Sequence, residues 1–226
     1  MAKRVFIGVG HGGDDPGAVG KVVEADANLT IALEVKRILE ANGVTVGISR
    51  TKDENDKLAE EIKEANAFKP DIAIEVHNNA GGGDGFEVYV QTNSYAAKSK
   101  ALAQTIEKQV KAIGQNSRGL KTKLTTSGTD WFGWLRQVKA PAVLLEGFFV
   151  DSNDALDFDT VAEQKKLAAA YAEGVMNHLG IAKKQPTTKT DVLWRVQVGA
   201  FASKANAEKL AAELRSKGYS TIIKQG

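Results

Sequence analysis

His11, His77 and His178 are all the imidazole in this chain, and cysteine is absent. A metal site would have to be built from His, Asp and Glu, and no disulfide framework is available. His11 follows the β-rich run Val5-Phe6-Ile7-Gly8-Val9-Gly10, His77 follows Ile72-Ala73-Ile74-Glu75-Val76, and Glu146 follows Ala142-Val143-Leu144-Leu145. Glu24 stands just before a helical pattern. In a parallel sheet these four side chains can converge at one edge, giving two imidazoles and a carboxylate for a metal with a further carboxylate beside it. That is the ligand count of an open catalytic zinc site. Taken singly, each residue says less: a histidine at a strand end is commonly a hydrogen-bonded loop residue, and Glu24 alone would simply favour a helix N-terminus. Glu146 is harder to dismiss, because an unpaired carboxylate at the end of so apolar a strand needs a partner or a function. His178 falls in the last turn of a helical stretch, where a cation suits the helix dipole and no role at the site is expected.

The elements that must position these groups can be read from periodicity. Asp26 to Asn42 has helical spacing with Ile31, Ala32, Val35, Ile38 and Leu39 on one face, and Gly43 follows as a C-cap. Val44 to Ile48 reads as a strand, Asn55 to Phe68 as a helix, and Gly85 to Val90 as another strand. Ser94 to Ile113 is a long helix, and Thr160 to Leu179 is a helix that stops at Gly180. Strands alternating with helices of this length predict an α/β fold, a largely parallel sheet with helices on both faces. Ligands of such folds gather beyond the carboxyl ends of the strands.

Gly8-Val9-Gly10-His11-Gly12-Gly13 matches the letters of a dinucleotide-binding fingerprint, but its context argues against that class. Asp14-Asp15-Pro16-Gly17 follows where a helix should start, placing two negative charges where a pyrophosphate would lie.

The chain also divides by charge. Residues 182–226 carry nine Lys or Arg against three Asp or Glu, whereas residues 1–181 carry 21 against 25. A basic appendage on a mildly acidic body suits a polyanionic partner such as nucleic acid, a membrane or a phosphate-rich cell wall. Residues 182–191 have no apolar anchor and read as a linker. Beyond it, Trp194, Val196 and Val198 alternate at strand period, Ser203 opens a helix with Ala207, Leu210, Ala211 and Leu214 inward, and Tyr219 to Ile223 reads as a second strand. The expected organisation is a catalytic domain over 1–181, a linker over 182–191 and a small βαβ unit over 192–226. The N-terminal apolar run is too short for a signal-peptide core or a membrane span, so synthesis in the cytoplasm without membrane insertion is expected.

Gly10-His11-Gly12-Gly13 with Pro16-Gly17-Ala18, then Glu24, His77-Asn78-Asn79-Ala80 and Pro141 to Glu146 stand in the order and spacing of a known family. Over residues 3–180 the chain resembles the zinc-dependent N-acetylmuramoyl-L-alanine amidases. The resemblance implies that His11, Glu24 and His77 bind one zinc ion and that Glu146 is the catalytic glutamate. It also implies hydrolysis of the amide between N-acetylmuramic acid and L-alanine in peptidoglycan, with nucleic acid not a partner. Asn78 and Asn79 could position substrate, although an amide after a strand is more often turn chemistry, and Arg118-Gly119-Leu120-Lys121 resembles a part of the family near its substrate groove. A zinc peptidase acting on stem peptides and a non-catalytic peptidoglycan-binding protein are the competing readings, because substrate choice resides in loops. The tail, through Trp194 to Phe201 and Lys217-Gly218-Tyr219, resembles one half of the sporulation-related repeat that binds peptidoglycan. Without a signal peptide, the implied settings are release by phage lysis or by mother-cell lysis.

One βαβ unit of about 35 residues is too small to bury a core that offsets its chain entropy, and it leaves an open strand edge. Two tails that pair would rebuild a full module as a symmetric homodimer. Light scattering of the intact chain beside a version ending at Ile181 should show a dimer becoming a monomer, and two identical monomeric masses would rule the pairing out.

Overall fold

The computed structural model describes residues 2–184 and 198–217, together with Tyr219, Thr221 and Ile223. Six strands, β1 (Arg4–Val9), β2 (Thr45–Ile48), β3 (Ile72–Asn79), β4 (Phe86–Val90), β5 (Ser117–Lys121) and β6 (Ala142–Phe149), form one sheet in the order β2-β1-β3-β6-β4-β5. The four strands from β2 to β6 run parallel, β4 is antiparallel to β6, and β5 is parallel to β4. Helices α1 (Glu24–Ala41), α2 (Leu58–Phe68), α3 (Ala96–Ala112), α4 (Gly133–Gln137) and α5 (Val161–Leu179) flank it. The expected α/β fold with a largely parallel, two-sided sheet is what the structure has.

The two faces are covered unequally, and that difference makes the site. Val5, Ile7, Val9, Ile74, Val76, Val143 and Leu145 point to one face and pack on Ile31, Val35, Leu102, Ile106, Leu167 and Val175 of α1, α3 and α5. Burying so many aliphatic side chains, at roughly 1.5–3 kcal/mol each, makes this layer the main source of stability. On the other face Phe6, Ala73, Ala142 and Leu144 meet Ile62 and Ala65 of α2 and Trp134 and Leu135 of α4. This cluster is smaller, and the shorter helices above it leave the ends of β3 and β6 uncovered.

Two strands are longer than hydrophobicity indicates. His77 and Glu146 were expected just past strand ends, but β3 runs on to Asn79 and β6 to Phe149, so both residues lie within the ladder. Register explains it: His77 is the cross-strand partner of Glu146, and each polar side chain finds polar company. Strand β5 and the five-residue helix α4 carry too little periodic signal to be read from sequence.

Helix α5 starts with a reciprocal capping box between Thr160 and Glu163 and ends at Gly180 in the left-handed conformation, at the expected boundaries. His178 lies in its last turn as expected, where burial lowers its pKa.

The chain forms two compact units, Met1–Gln185 and Pro186–Gly226. Among the described residues of the second unit, Lys204–Ser216 forms helix α6, as expected from Ser203 onward. Trp194 and Val196, expected in a strand, and Gly218, Ile222 and most of the linker lie outside the described residues. No described helix is long and apolar enough to cross a membrane.

Candidate metal centre and active site

The loop after β1 begins with an unusual conformation, His11 at φ 63°, a left-handed backbone that costs a non-glycine residue energy and is seen mostly where geometry is imposed by the surroundings. The cause is visible around it. Gly12 and Asp15 exchange two backbone hydrogen bonds, the Gly13 and Asp14 amides donate to Asp53 and Asn55, and the Gly17 amide donates to Asp15 Oδ1. Beneath, the buried Arg50 guanidinium donates to the carbonyls of Val9, Gly10 and Ala25, tying β1 to the start of α1. Glycine is required where the loop folds back. At Gly17, with φ 65°, a Cβ would lie 2.6 Å from Glu24 Oε2 and 2.7 Å from His11 Cδ2.

This folding brings three of the four candidate residues onto one point. Glu24 Oε1 lies 3.2 Å from His11 Nε2 and 3.0 Å from His77 Nδ1, and the three donor atoms fall within 4.8 Å of one another. Zinc bonds near 2.0–2.1 Å in a tetrahedron place neighbouring donors about 3.3 Å apart, so the spacing fits such an ion. Glu24 is buried, and its other oxygen accepts from the Ala18 amide. Although burial works against the ionised form, hydrogen bonds from His11 and His77 hold its pKa well below the carboxylate range. Reciprocally, Glu24 raises the pKa of His11, and at His77 the bonds to Glu24 and Glu75 outweigh burial and raise it far more. A carboxylate between two imidazoles is a donor set that could hold a divalent ion.

Glu146 is the fourth candidate, directly across the ladder from His77. Its Oε2 is buried with no hydrogen-bond partner among the described residues. Burial above all, with Glu24, Glu75 and Glu87 outweighing the opposing effect of His77, pushes its pKa up to about 7. A carboxyl poised near neutrality and free of partners is suited to take and return a proton. A cavity of about 620 Å³ opens over these groups, with His11, Asp56, Glu61, Glu75, His77 and Glu146 in its wall.

The family sequence pattern described as N-acetylmuramoyl-L-alanine amidase matches residues 5–177, and that described as SPOR domain matches residues 190–226. The chain belongs to the N-acetylmuramoyl-L-alanine amidase family. A sporulation-specific N-acetylmuramoyl-L-alanine amidase of Bacillus subtilis is 36% identical over 225 residues, which is 97% of this chain and 84% of that relative. The endolysin of Bacillus phage SPP1 is 35% identical, with 81% of this chain and 69% of that protein aligned. Among solved structures, the catalytic domain of the amidase CwlV from Paenibacillus polymyxa superposes with a TM-score of 0.70 at 28% identity, covering 80% of this chain and 99% of that one. Cwp6 from Clostridium difficile reaches 0.76 at 29% identity, covering 79% of this chain and 30% of that one.

In this amidase-family chain a ring of carboxylates missed from sequence surrounds the four candidates. His11 Nδ1 lies 2.9 Å from Asp15 Oδ2, leaving Nε2 facing Glu24, and His77 Nε2 lies 3.4 Å from Glu75 Oε1, leaving Nδ1 facing Glu24. Such partners fix which ring nitrogen is available to a metal. Glu75 could have been found, since a charge in the middle of Ile72-Ala73-Ile74-Glu75-Val76 is out of place in a central strand. Behind it Glu61 accepts from the Val9 amide, and burial together with Glu75 and Asp56 raises its pKa to about 8. Of the two amides after His77, Asn78 turns to the opposite face, where it donates to Asn28, itself bonded to the Gly10 carbonyl. Asn78 is therefore a structural clamp, whereas Asn79 stays on the site face and donates to Glu87.

Gly10 tests how tightly the cluster is built, because a Cβ there would meet the His77 ring at 2.1–2.6 Å. Gly10→Ala should fold, move His77, and weaken zinc binding at least about tenfold, as displaced ligands and their supports commonly do. Chelator competition measures this, and unchanged affinity would count against His77 as a ligand.

Proposed function

We propose that this chain hydrolyses the amide between the lactyl group of N-acetylmuramic acid and the L-alanine of the stem peptide, with zinc held by His11, Glu24 and His77 and with Glu146 as the catalytic carboxylate. The observation that carries the reading is the juxtaposition of two imidazoles converging on one carboxylate oxygen with a partnerless carboxyl across the ladder. Zinc, when bound, supplies the Lewis acidity that makes water a nucleophile at neutral pH and polarises the amide carbonyl. The chain's own residues do the rest. Glu146 accepts the proton of the attacking water and returns it to the departing alanine nitrogen, a base-then-acid cycle suited to a pKa near neutrality. His11 and His77 must be neutral to bind a metal, and Asp15 and Glu75 hold their outer nitrogens so that the inner ones stay free for it.

Family membership favours the amidase over the stem-peptide peptidase and the non-catalytic binder. The SPOR match suggests that the tail retains the enzyme on peptidoglycan, and pairing of two tails into a homodimer is part of this proposal. The sporulation-specific and phage relatives suit an enzyme that reaches the wall when a mother cell or an infected host lyses.

Mass spectrometry of fragments released from purified peptidoglycan should show free lactyl carboxylates and peptides with an N-terminal alanine. Cleavage inside the stem peptide would replace the amidase reading by a peptidase. Glu146→Gln should keep zinc and lose about two to four orders of magnitude in rate. His77→Ala should lose the metal itself, and the opposite pattern of metal contents would reverse the two roles.

The acid limb of the pH profile follows from Glu146. A base must be deprotonated to act, so kcat/KM should fall as pH drops through its pKa, about 7 without a metal and lower with a divalent cation beside it. In Glu146→Gln the residual rate should lack this limb, and an unchanged limb would assign the titration to another group.

A further inference from the structure

The polar row that holds His77 and Glu146 continues past them. In cross-strand register His77 on β3 is followed by Glu146 on β6, Glu87 on β4 and Gly119 on β5. Strand β5 carries a bulge at this level: Phe86 pairs with Ser117 and Glu87 with Gly119, so Arg118 is the extra residue. A bulge beside a functional row re-aims a side chain, and Gly119 takes the positive φ of 85° that the turn requires. Arg118 Nε donates to Glu87 Oε1 at 2.5 Å, and its guanidinium carbon lies 5.3 Å from the centre of the Phe149 ring. Glu87 is buried, and its second oxygen accepts from Asn79 and Tyr89. The arginine is thus gripped along its Nε edge. Among the described residues neither terminal nitrogen has a hydrogen-bond partner, and the side chain is 45% exposed.

From this geometry we infer that Arg118, held by Glu87 and Phe149, is a substrate subsite for a carboxylate on the second residue of the stem peptide. The inference rests on the amidase reading above and deepens it. A guanidinium held on one edge presents its remaining N–H groups as a planar fork, the shape that a carboxylate matches with two parallel hydrogen bonds. Distance agrees as well. Neighbouring strands lie about 4.8 Å apart, so β5 is roughly 10 Å from β6, and an extended peptide covers about 3.5 Å per residue. With the scissile nitrogen at Glu146, the second residue and its carboxyl-bearing arm reach the fork. The pairing of Arg118 with Glu87 leaves little net charge, so selection depends on the fork and not on a long-range field.

Binding without turnover tests this separately from the reaction. The probes are N-acetylmuramoyl-L-alanyl-γ-D-glutamyl-glycinamide, whose single free carboxylate is the α-carboxylate of the second residue, and its α-amide, which has none, titrated calorimetrically into zinc-loaded Glu146→Gln protein. The acid should bind about tenfold or more tightly than the amide, a typical loss when a bidentate charged acceptor is replaced. Adding Arg118→Lys, which keeps the charge but not the fork, should bring the two within about threefold. The double change Glu87→Gln with Arg118→Gln should do the same without leaving a buried carboxylate unpaired. Equal binding of both probes, no binding of either, or a preference that survives both variants would overturn the assignment. Failure of the wild-type chain to release lactyl-terminated glycan would instead overturn the amidase reading.

Discussion

Glu24 is the residue on which the rest of the site depends. A buried carboxylate is tolerable only with charged or hydrogen-bonding partners, because leaving it alone in a low-dielectric interior costs several kcal/mol. Here one of its oxygens faces two histidines, one from a loop and one from a strand, and the other takes the Ala18 amide. Each partner must be brought to it by a separate piece of structure. The β1–α1 loop supplies His11, β3 supplies His77, and the fold-back through Pro16-Gly17-Ala18 supplies the amide. The left-handed backbone of His11, the glycine at 17 and the buried Arg50 beneath the loop are consequences of that convergence.

The sheet supports the site by dividing its labour between faces. One face is given almost wholly to aliphatic packing under α1, α3 and α5, which fixes the strands. The other is capped by α2 and the short α4, so a row of polar residues can run across β3, β6 and β4 without being sealed off. Asn78 shows the division at one position: its neighbours His77 and Asn79 face the polar row while Asn78 itself clamps β3 to α1 through Asn28. A one-residue slip of β3 would exchange these roles, so the apolar packing of Ile74 and Val76 is what sets the register of the chemistry.

Much of this was legible because chemistry and periodicity were written in different letters. Apolar runs ended by His or Glu marked three strands and three of the four candidate residues together, Glu24 stood before a helical pattern, and the alternation of strands with helices gave the α/β class. What periodicity could not show was that polar residues extend the strands. His77 and Glu146 sit mid-ladder because they face each other, and cross-strand partnership is invisible in one dimension. The edge strand β5 was missed for a related reason: Ser117-Arg118-Gly119-Leu120-Lys121 has one aliphatic residue, and it is a strand only because β4 offers it a ladder. Asp15 and Glu75 went unread because their role is defined by the far nitrogen of a histidine, not by spacing.

The crowd of carboxylates around the site has a single electrostatic logic. Burial above all, together with Glu24, Glu75 and Glu87, raises the Glu146 pKa, and Glu61 and Asp56 lie behind them. That concentration of negative charge is costly without a bound cation, and it goes with raised pKa values at Glu61, His11 and His77. A divalent cation meets the same demand more fully, which ties metal affinity to the deprotonation of its own ligands. Among Glu24, Glu75, Glu87 and Glu146, Glu146 is the one for which the described residues offer no hydrogen-bonding partner. The other acids can settle into fixed pairings, Glu24 with the imidazoles, Glu75 with His77 and Glu87 with Arg118, while Glu146 keeps its protonation open. Freedom to titrate at one carboxylate is therefore obtained by committing its neighbours.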